Sequence, residues 1–408
     1  MEHIVIAGAG HAGIQLADSL RAEGTTAPIT LVDAEPGLPY QRPPLSKDFL
    51  TAGEAPEMLP LKARRFFADN DIALIEANPI VSVGRAGRTV HLASRDALSY
   101  SDLVLATGAR NRTLQIPGAD LRGVHYLRTA ADATQLHDAI ATARTAVVIG
   151  AGFIGLEFAA AARARGIDVT VVEYGQRPMV RALSEPMSRH FATTHTADGI
   201  QLVFDESVTA FDGDGTRVRA AIGRSGERFP ADLVVIGIGV EPNTELATTA
   251  GLSADRGVVV DSYLRTADEH IWAIGDCASF PCQQTGSVTR RESVQNAVDH
   301  ARALARTLTG NPTEYHQLPW FWSHQGKHKL QIAGIADGCD HTAIHGDPST
   351  GKFSVLCFRD GVLTCVESVN HPAAHLAARK ILASSAALTV GDVAAEGFDL
   401  KHAVREIQ

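Results

Sequence analysis

Three glycines at positions 8, 10 and 13 follow the apolar run Ile4 to Ala7 and open a helical pattern that begins near Ala12. The spacing G-x-G-x-x-G suits phosphate chemistry. It allows a tight turn, close approach of backbone to a pyrophosphate and close packing of helix on strand, with the helix N-terminus facing the negative charge. Asp33 lies 20 residues beyond Gly13, where the next apolar strand ends, and Glu35 follows just after. A carboxylate there can accept hydrogen bonds from ribose hydroxyls, which a glycine turn serving packing alone would not require.

The chain uses the device twice. Gly150, Gly152 and Gly155 repeat the spacing after the run "TAVVI", and Glu173 stands 18 residues beyond Gly155 at the end of "DVTVVE". A carboxylate at that position bonds an adenosine ribose and repels a 2′-phosphate, so NADH is the expected nucleotide rather than NADPH. Arg177 and Arg181 stand nearby and are read as solvated surface residues. One dinucleotide needs one such turn. Two turns predict a flavin held permanently and a nicotinamide that visits.

The elements that must position these turns are those of α/β proteins. Each glycine turn sits in a strand–helix–strand rhythm, the signature of a parallel, doubly wound sheet. The later strands "SDLVLATGA" and "ADLVVIGIG" also mirror each other, so the two units match at their ends as well as their beginnings. "HIWAIGDCA" at 270–278 reads as a further buried strand, followed by a helix from about Ser293 to Leu308. From "LPWFWSHQG" the texture changes to alternating strands, "KLQIAGI", "KFSVLCF" and "VLTCVESV", with helices after Pro372. That pattern predicts a third, antiparallel segment.

With 408 residues, 45% of them hydrophobic and 20% charged, the chain has room for two or three domains with real cores. A net charge of −9 argues against nucleic acid as the main partner. No apolar run approaches the length of a membrane span, and no signal-peptide pattern precedes the first strand, so the expected location is cytoplasmic. Five cysteines, all from Cys277 onward, do not form a secreted disulfide framework.

Taken in order, "GAGHAG", "LPYQRPPLSK", "LATGAR", "GAGFIGLE", "GIGVEPNTELA", "IWAIGDCA", "RRESVQNAVDHARALA" and "LPWFWSHQGKHKLQIAG" resemble the FAD-dependent, NADH-linked ferredoxin reductases of bacterial oxygenase systems. That group includes putidaredoxin reductase and the biphenyl-dioxygenase reductase component, and the likeness spans essentially the whole chain. It implies a glutathione-reductase-like fold with two Rossmann-like domains and a C-terminal α+β domain. FAD binding would occupy 1–114 and 243–318, NAD binding 115–242, and the C-terminal domain 319–408.

The resemblance also implies roles. Lys47 matches a lysine near the flavin N5 edge, paired with Glu157, and a cation there favours the negative charge of reduced flavin. Without the family, a lysine in a Pro-rich loop reads equally well as exposed. Arg42, Thr107, Arg110, Asp276, Val294 and Trp322 are implied FAD contacts beside Gly8, Gly10, Gly13, Asp33 and Glu35, with Arg112 a further candidate. Phe153, Ile154 and Gly239 join Gly150, Gly152, Gly155 and Glu173 for NAD, and Phe153 could shield the flavin until nicotinamide displaces it. The family often has an acid in "WSDQ", where this chain has His324.

Disulfide reductases of this fold carry a cysteine pair early in the FAD domain, and this chain has no cysteine before Cys277. Electrons must then leave from the flavin itself, which suits a [2Fe-2S] ferredoxin supplying an oxygenase such as a cytochrome monooxygenase. Cys277 and Cys282 have C-x-x-x-x-C spacing but stand on the ribityl side of the implied flavin. His371/His375 and His324/His328 are spaced i,i+4 without a third ligand, and no metal site is expected. Ferredoxins being usually acidic, Arg290, Arg291, Lys327 and Lys329 are docking candidates. A monomer or weak dimer satisfies everything in the sequence. The alternatives are a redox-responsive FAD/NADH-binding protein resembling apoptosis-inducing factor, or an NADH-linked reductase of rubredoxin or another acceptor.

Overall fold

The computed structural model describes residues 2–384 and 387–407. Two compact units emerge, each assembled from separated stretches of chain. The first comprises the chain up to Gln41 with Met58–Arg110 and Val240–Gln317; the second comprises Arg42–Glu57, Asn111–Gly239 and the chain from Leu318.

The first unit is built on a five-stranded sheet in the order Ile271–Ala273, Asp102–Leu105, Ile4–Ala7, Ile29–Val32, Ile72–Ile75. All four pairings are parallel. Ile4–Ala7, at the centre, is buried along its whole length, which explains its unbroken apolar run. The helix His11–Ala22 packs beside Val294–Leu308, both turning apolar residues toward the sheet. Two small sheets also belong to the unit, one antiparallel, of Ile80–Gly84, Thr89–Leu92 and Ala97–Ser99, and one of Val258–Val259, Ala278–Cys282 and Ser287–Thr289.

The second unit repeats the plan. Its parallel sheet runs Gln201–Val203, Asp168–Val172, Thr145–Ile149, Leu233–Ile236, Val124–His125. The helix Phe153–Ala164 follows the central strand and packs against Asp168–Val172. The last part of the chain forms the expected antiparallel sheet, in the order Trp320–Gln325, His328–Gly334, Val362–Val369, Lys352–Arg359, His341–Asp347. One face of it is covered by the helix Pro372–Ala383, whose Ala374, Ala378 and Ile381 meet Ala333, Leu356, Phe358 and Val366.

The segment Arg42–Glu57 is a departure from the continuous first lobe that the sequence suggests. It folds as a short 3-10 turn, Pro43–Ser46, and a single helical turn, Asp48–Thr51, against the helix Phe153–Ala164. The Arg165 guanidinium holds it there by donating to the Ala52 carbonyl at 2.5 Å. No helix among the described residues is long and apolar enough to cross a membrane.

Candidate active site

In the first unit the glycine turn has the backbone that a pyrophosphate requires. Gly8 adopts φ +110°, and a side chain there would lie 2.3 Å from the Ala106 carbonyl oxygen; at Gly13 it would lie 2.0 Å from that of Gly8. Gly10 differs, because nothing lies within 4 Å of the position its Cβ would take. It caps the helix His11–Ala22 without any side-chain acceptor for the first N–H groups. Open space in front of a helix N-terminus that carries no capping side chain fits an anionic phosphate.

The other first-unit candidates lie at the carboxyl ends of this sheet or beyond. Asp33 follows the strand Ile29–Val32, and the Glu35 carboxylate accepts the Tyr40 hydroxyl at 2.5 Å. Thr107 and Asn243 exchange hydrogen bonds, 2.7 Å from the Thr107 hydroxyl to the Asn243 carbonyl and 2.8 Å in return from the Asn243 amide. Arg110 donates to Glu241, Asn243 and Glu245 at 3.0, 2.9 and 2.6 Å. Asp276 sits in the 3-10 turn Gly275–Cys277, and an added Gly275 Cβ would lie 3.1 Å from Ala12 Cβ, which places Asp276 beside the glycine-turn helix. Val294 is the first residue of its helix, behind a Ser293 cap.

One sequence expectation changes here, at Arg290, while the reading of the two cysteines as no redox pair does not. Cys277 and Cys282 are free thiols, and Cys277 is fully buried with its Sγ directed at the Leu105 and Ile274 carbonyls. Burial pushes that thiol's pKa up, away from the reactive thiolate. Arg290 is not a docking residue: its side chain is 13% exposed and is bound to Glu292 at 2.6 Å and to the Asp276 carbonyl at 3.1 Å. Lys327 and Lys329 are exposed, as docking would require.

The chemistry of the second unit centres on Glu157, in the second turn of the helix Phe153–Ala164. Its carboxylate lies 2.8 Å from the Lys47 ammonium, with side-chain exposures of 5% and 17%. The Ser46 and Ser323 hydroxyls each donate to it at 2.6 Å, and the His324 N–H at 3.2 Å. Lys47 also donates to the Pro43 carbonyl at 3.0 Å, the 3-10 turn having bent the chain back on itself. A buried carboxylate with this many donors is a fixed negative charge, and it holds a positive one in place. Ser46, Ser323 and Gln325 were not singled out from sequence, although each adjoins a residue that was. Partial desolvation, and then the Lys47 charge, hold the His324 imidazole below its ordinary pKa.

The second glycine turn repeats the first. Gly150 has φ +98°, with its Cβ position 2.5 Å from the Gly237 carbonyl, and that of Gly155 is 2.3 Å from the Gly150 carbonyl. Gly152, the helix cap, meets nothing closer than 3.9 Å. The Glu173 carboxylate reaches the turn itself, accepting the Ala151 N–H at 2.6 Å and the Gly175 N–H at 2.7 Å. Arg177 is not free in solvent, since it donates to the Leu183 and Val180 carbonyls at 2.9 and 3.2 Å. The Arg181 guanidinium instead lies 3.5 Å from where a Gly239 Cβ would be, at φ +96°.

Phe153 stacks obliquely on Phe321, with ring centroids 4.7 Å apart, while Ile154 is exposed. Trp322 packs on Trp320 at 5.6 Å, and Arg379 lies over the Trp320 ring. Arg42 donates to the Arg128 carbonyl at 2.7 Å, and the Arg112 N–H to the Gly239 carbonyl at 3.0 Å. Among the described residues one group of possible metal ligands comes together, Cys357, Cys365 and Glu367, rather than either histidine pair. Glu367 accepts both the N–H, at 2.8 Å, and the hydroxyl of Ser184, the cap of the helix Glu185–Ala197.

The sequence profile of the pyridine nucleotide-disulphide oxidoreductases matches residues 2–301, and that of a reductase C-terminal domain matches residues 320–404. The chain belongs to the pyridine nucleotide-disulphide oxidoreductases. Within them it is 51% identical to rhodocoxin reductase of Rhodococcus erythropolis, over 98% of this chain and 94% of that one. A crystal structure of a ferredoxin reductase from Rhodopseudomonas palustris matches with a TM-score of 0.96 at 45% identity, covering 99% of this chain and 100% of the other. The putidaredoxin reductase in a covalent complex with putidaredoxin matches with a TM-score of 0.95 at 33% identity, covering 100% and 99%. The glutathione-reductase-like α/β fold expected from sequence is therefore the fold of this pyridine nucleotide-disulphide oxidoreductase, and FAD and NAD(H) are its cofactors. The open caps at Gly10 and Gly152 fit the pyrophosphates of two such dinucleotides.

Proposed function

We propose that the chain is an NADH-dependent ferredoxin reductase, an FAD-dependent oxidoreductase that passes electrons to a ferredoxin. Bound FAD supplies the step between a two-electron hydride donor and a one-electron acceptor. The observation that carries this reading is the Lys47–Glu157 ion pair, whose carboxylate is buried on the helix of the second nucleotide turn, in a chain with no cysteine before Cys277. A fixed cation serves a reduced flavin, and the early FAD segment contains no thiol to take its electrons. Similarity to rhodocoxin reductase and to a putidaredoxin reductase crystallised with its putidaredoxin supports the same acceptor class.

The chain's own residues then divide the work. Gly8, Gly10, Gly13, Asp33, Glu35, Thr107, Arg110, Asp276 and Val294 hold FAD, joined by Arg42, Lys47 and Trp322. Gly150, Gly152, Phe153, Ile154, Gly155, Glu173 and Gly239 hold NAD(H). Lys47 and Glu157 are the catalytic pair. Residues 1–114 with 243–318, 115–242, and 319–408 are the corresponding functional segments.

The finer reading is a cytoplasmic monomer or weak dimer that prefers NADH to NADPH and reduces a [2Fe-2S] ferredoxin feeding an oxygenase. Glu173 supports the nucleotide preference, and the engagement of Arg177 by carbonyl groups removes one cation from competition for a 2′-phosphate. Anaerobic stopped-flow spectra test the whole reading: fast bleaching of the yellow protein by NADH, slower bleaching by NADPH, and then stoichiometric reduction of a two-iron ferredoxin. Bleaching without transfer to any two-iron ferredoxin, but with transfer to rubredoxin, would replace the acceptor; no bleaching would refute the oxidoreductase. Charge reversal at Lys327 and Lys329 should weaken ferredoxin reduction while leaving ferricyanide reduction unchanged, and equal loss of both would remove these residues from the docking face.

A further inference from the structure

A buried polar chain in the second unit leads away from Glu157. The Ser323 hydroxyl donates to Glu157 Oε1 at 2.6 Å, Gln325 Nε2 lies 2.7 Å from Ser323 Oγ, and His195 Nε2 lies 3.1 Å from Gln325 Oε1. Ser323 and Gln325 are alternate residues of the strand Trp320–Gln325, so their side chains share one face. His195 comes from the last turn of the helix Glu185–Ala197. All four residues are buried. Gln325 Nε2 also donates to the carbonyl of Phe153, 3.2 Å away, at the start of the nucleotide-turn helix.

The direction of every proton in this chain is forced. An ionised carboxylate accepts only, so Ser323 spends its one O–H on Glu157 and must accept from Gln325. The Phe153 carbonyl likewise demands an N–H. Both needs put the amide nitrogen of Gln325 toward Ser323 and Phe153, and its oxygen toward His195. An amide can turn over to exchange its two ends, and the group facing the oxygen adds a third constraint to those of Ser323 and Phe153. His195 Nδ1 has no hydrogen-bond partner, and burial holds the ring below its ordinary pKa, toward the neutral form. A neutral ring meeting an amide oxygen through Nε2 must carry its proton on Nε2; the other tautomer would set two acceptors against each other.

We propose that His195 is a positioning residue, which as the Nε2–H tautomer locks the Gln325 amide and thereby ties the Glu157 carboxylate to the Phe153 end of the nucleotide-turn helix. This rests on the reading of Lys47 and Glu157 as the catalytic pair, and it adds that their geometry is set from a helix remote in sequence. Losing the His195 constraint lowers the cost of turning the amide against Ser323 and Phe153, and the turned form becomes populated. Ser323 then loses its donor, and its own proton is no longer directed at Glu157.

The test uses the FAD-loaded enzyme labelled with 15N-histidine, the His195 signals being identified by their loss in His195→Gln. The expected spectrum shows a neutral Nε2–H tautomer for His195, converting to a mixture in Gln325→Leu. In stopped flow, His195→Leu should slow flavin reduction at saturating NADH about ten-fold with KM nearly unchanged. His195→Gln, whose amide nitrogen can stand where Nε2–H stood, should recover most of the rate. An Nδ1–H tautomer in the parent enzyme, or a His195→Gln variant as slow as His195→Leu, would overturn the proposal. Wild-type reduction rates in both Glu157→Gln and Lys47→Met would instead overturn the reading of the pair, a separate result because the tautomer is read without turnover.

Discussion

Removing either partner of the Lys47–Glu157 pair should hurt, but not equally. Two unit charges 2.8 Å apart attract by about 6 kcal/mol at an effective dielectric constant near 20. Desolvation of two groups that keep only 17% and 5% of their side-chain exposure offsets most of that gain. A net coupling of about 1–3 kcal/mol remains. Lys47→Met leaves the carboxylate with the Ser46, Ser323 and His324 donors. Glu157→Gln leaves the ammonium with the Pro43 carbonyl and strips the charge from the centre of the network. The Glu157 variant should therefore lose about 1 kcal/mol more than the Lys47 variant. The assay is a double-mutant cycle, with urea unfolding and the anaerobic NADH half-reaction measured on the two single variants and the double variant. If the single effects add to within about 0.5 kcal/mol, the groups do not act as a pair and the reasoning fails.

The Glu367 carboxyl, buried beneath the Ser184 cap, has its pKa raised to about 7 from an ordinary value of 4.5. The folded state thus holds a proton that the unfolded state has lost. Its stability contribution is full below pH 4.5 and falls as pH rises toward 7, so about 2–3 kcal/mol should vanish between pH 5 and 8 and be largely absent from Glu367→Gln. Urea midpoints at the two pH values decide this, and parallel pH profiles for the two proteins would contradict it. Gly10→Ala should keep the melting temperature of the FAD-free protein yet weaken FAD binding at least ten-fold, because its Cβ enters open space. Gly13→Ala should fail to fold stably, its Cβ falling 2.0 Å from the Gly8 carbonyl; equal FAD titration curves for Gly10→Ala and the parent would refute the phosphate assignment. Glu173→Ala should raise the KM for NADH several-fold while narrowing the gap to NADPH, as steady-state kinetics with both nucleotides would show.

Much of the architecture was legible because it depends on backbone rules that leave marks in sequence. A turn at φ +110° with a carbonyl 2.3 Å from the would-be Cβ admits only glycine, so Gly8 and Gly150 announce themselves. Parallel strands covered on both faces must be apolar throughout, which made Ile4–Ala7, Thr145–Ile149 and Leu233–Ile236 easy to find. The lysine and glutamate of the pair came from resemblance rather than spacing. A lysine after two prolines carries no mark of being paired with a buried carboxylate.

The sequence by itself determined that two nucleotide turns exist, where their helices begin, and that no cysteine stands in the early FAD segment. These are local matters, decided by φ angles, strand burial and residue type. Only the tertiary structure decided which groups surround Glu157, because Ser46 and Ser323 lie 111 and 166 residues from it and a serine hydroxyl has no preferred partner until packing excludes water. It likewise turned Arg290 inward onto Glu292, committed Arg177 to backbone carbonyls, and set His195 behind Gln325. The partner of a polar side chain is chosen by the fold as a whole, since hydrogen bonds are short and the residues that make them can come from anywhere in the chain.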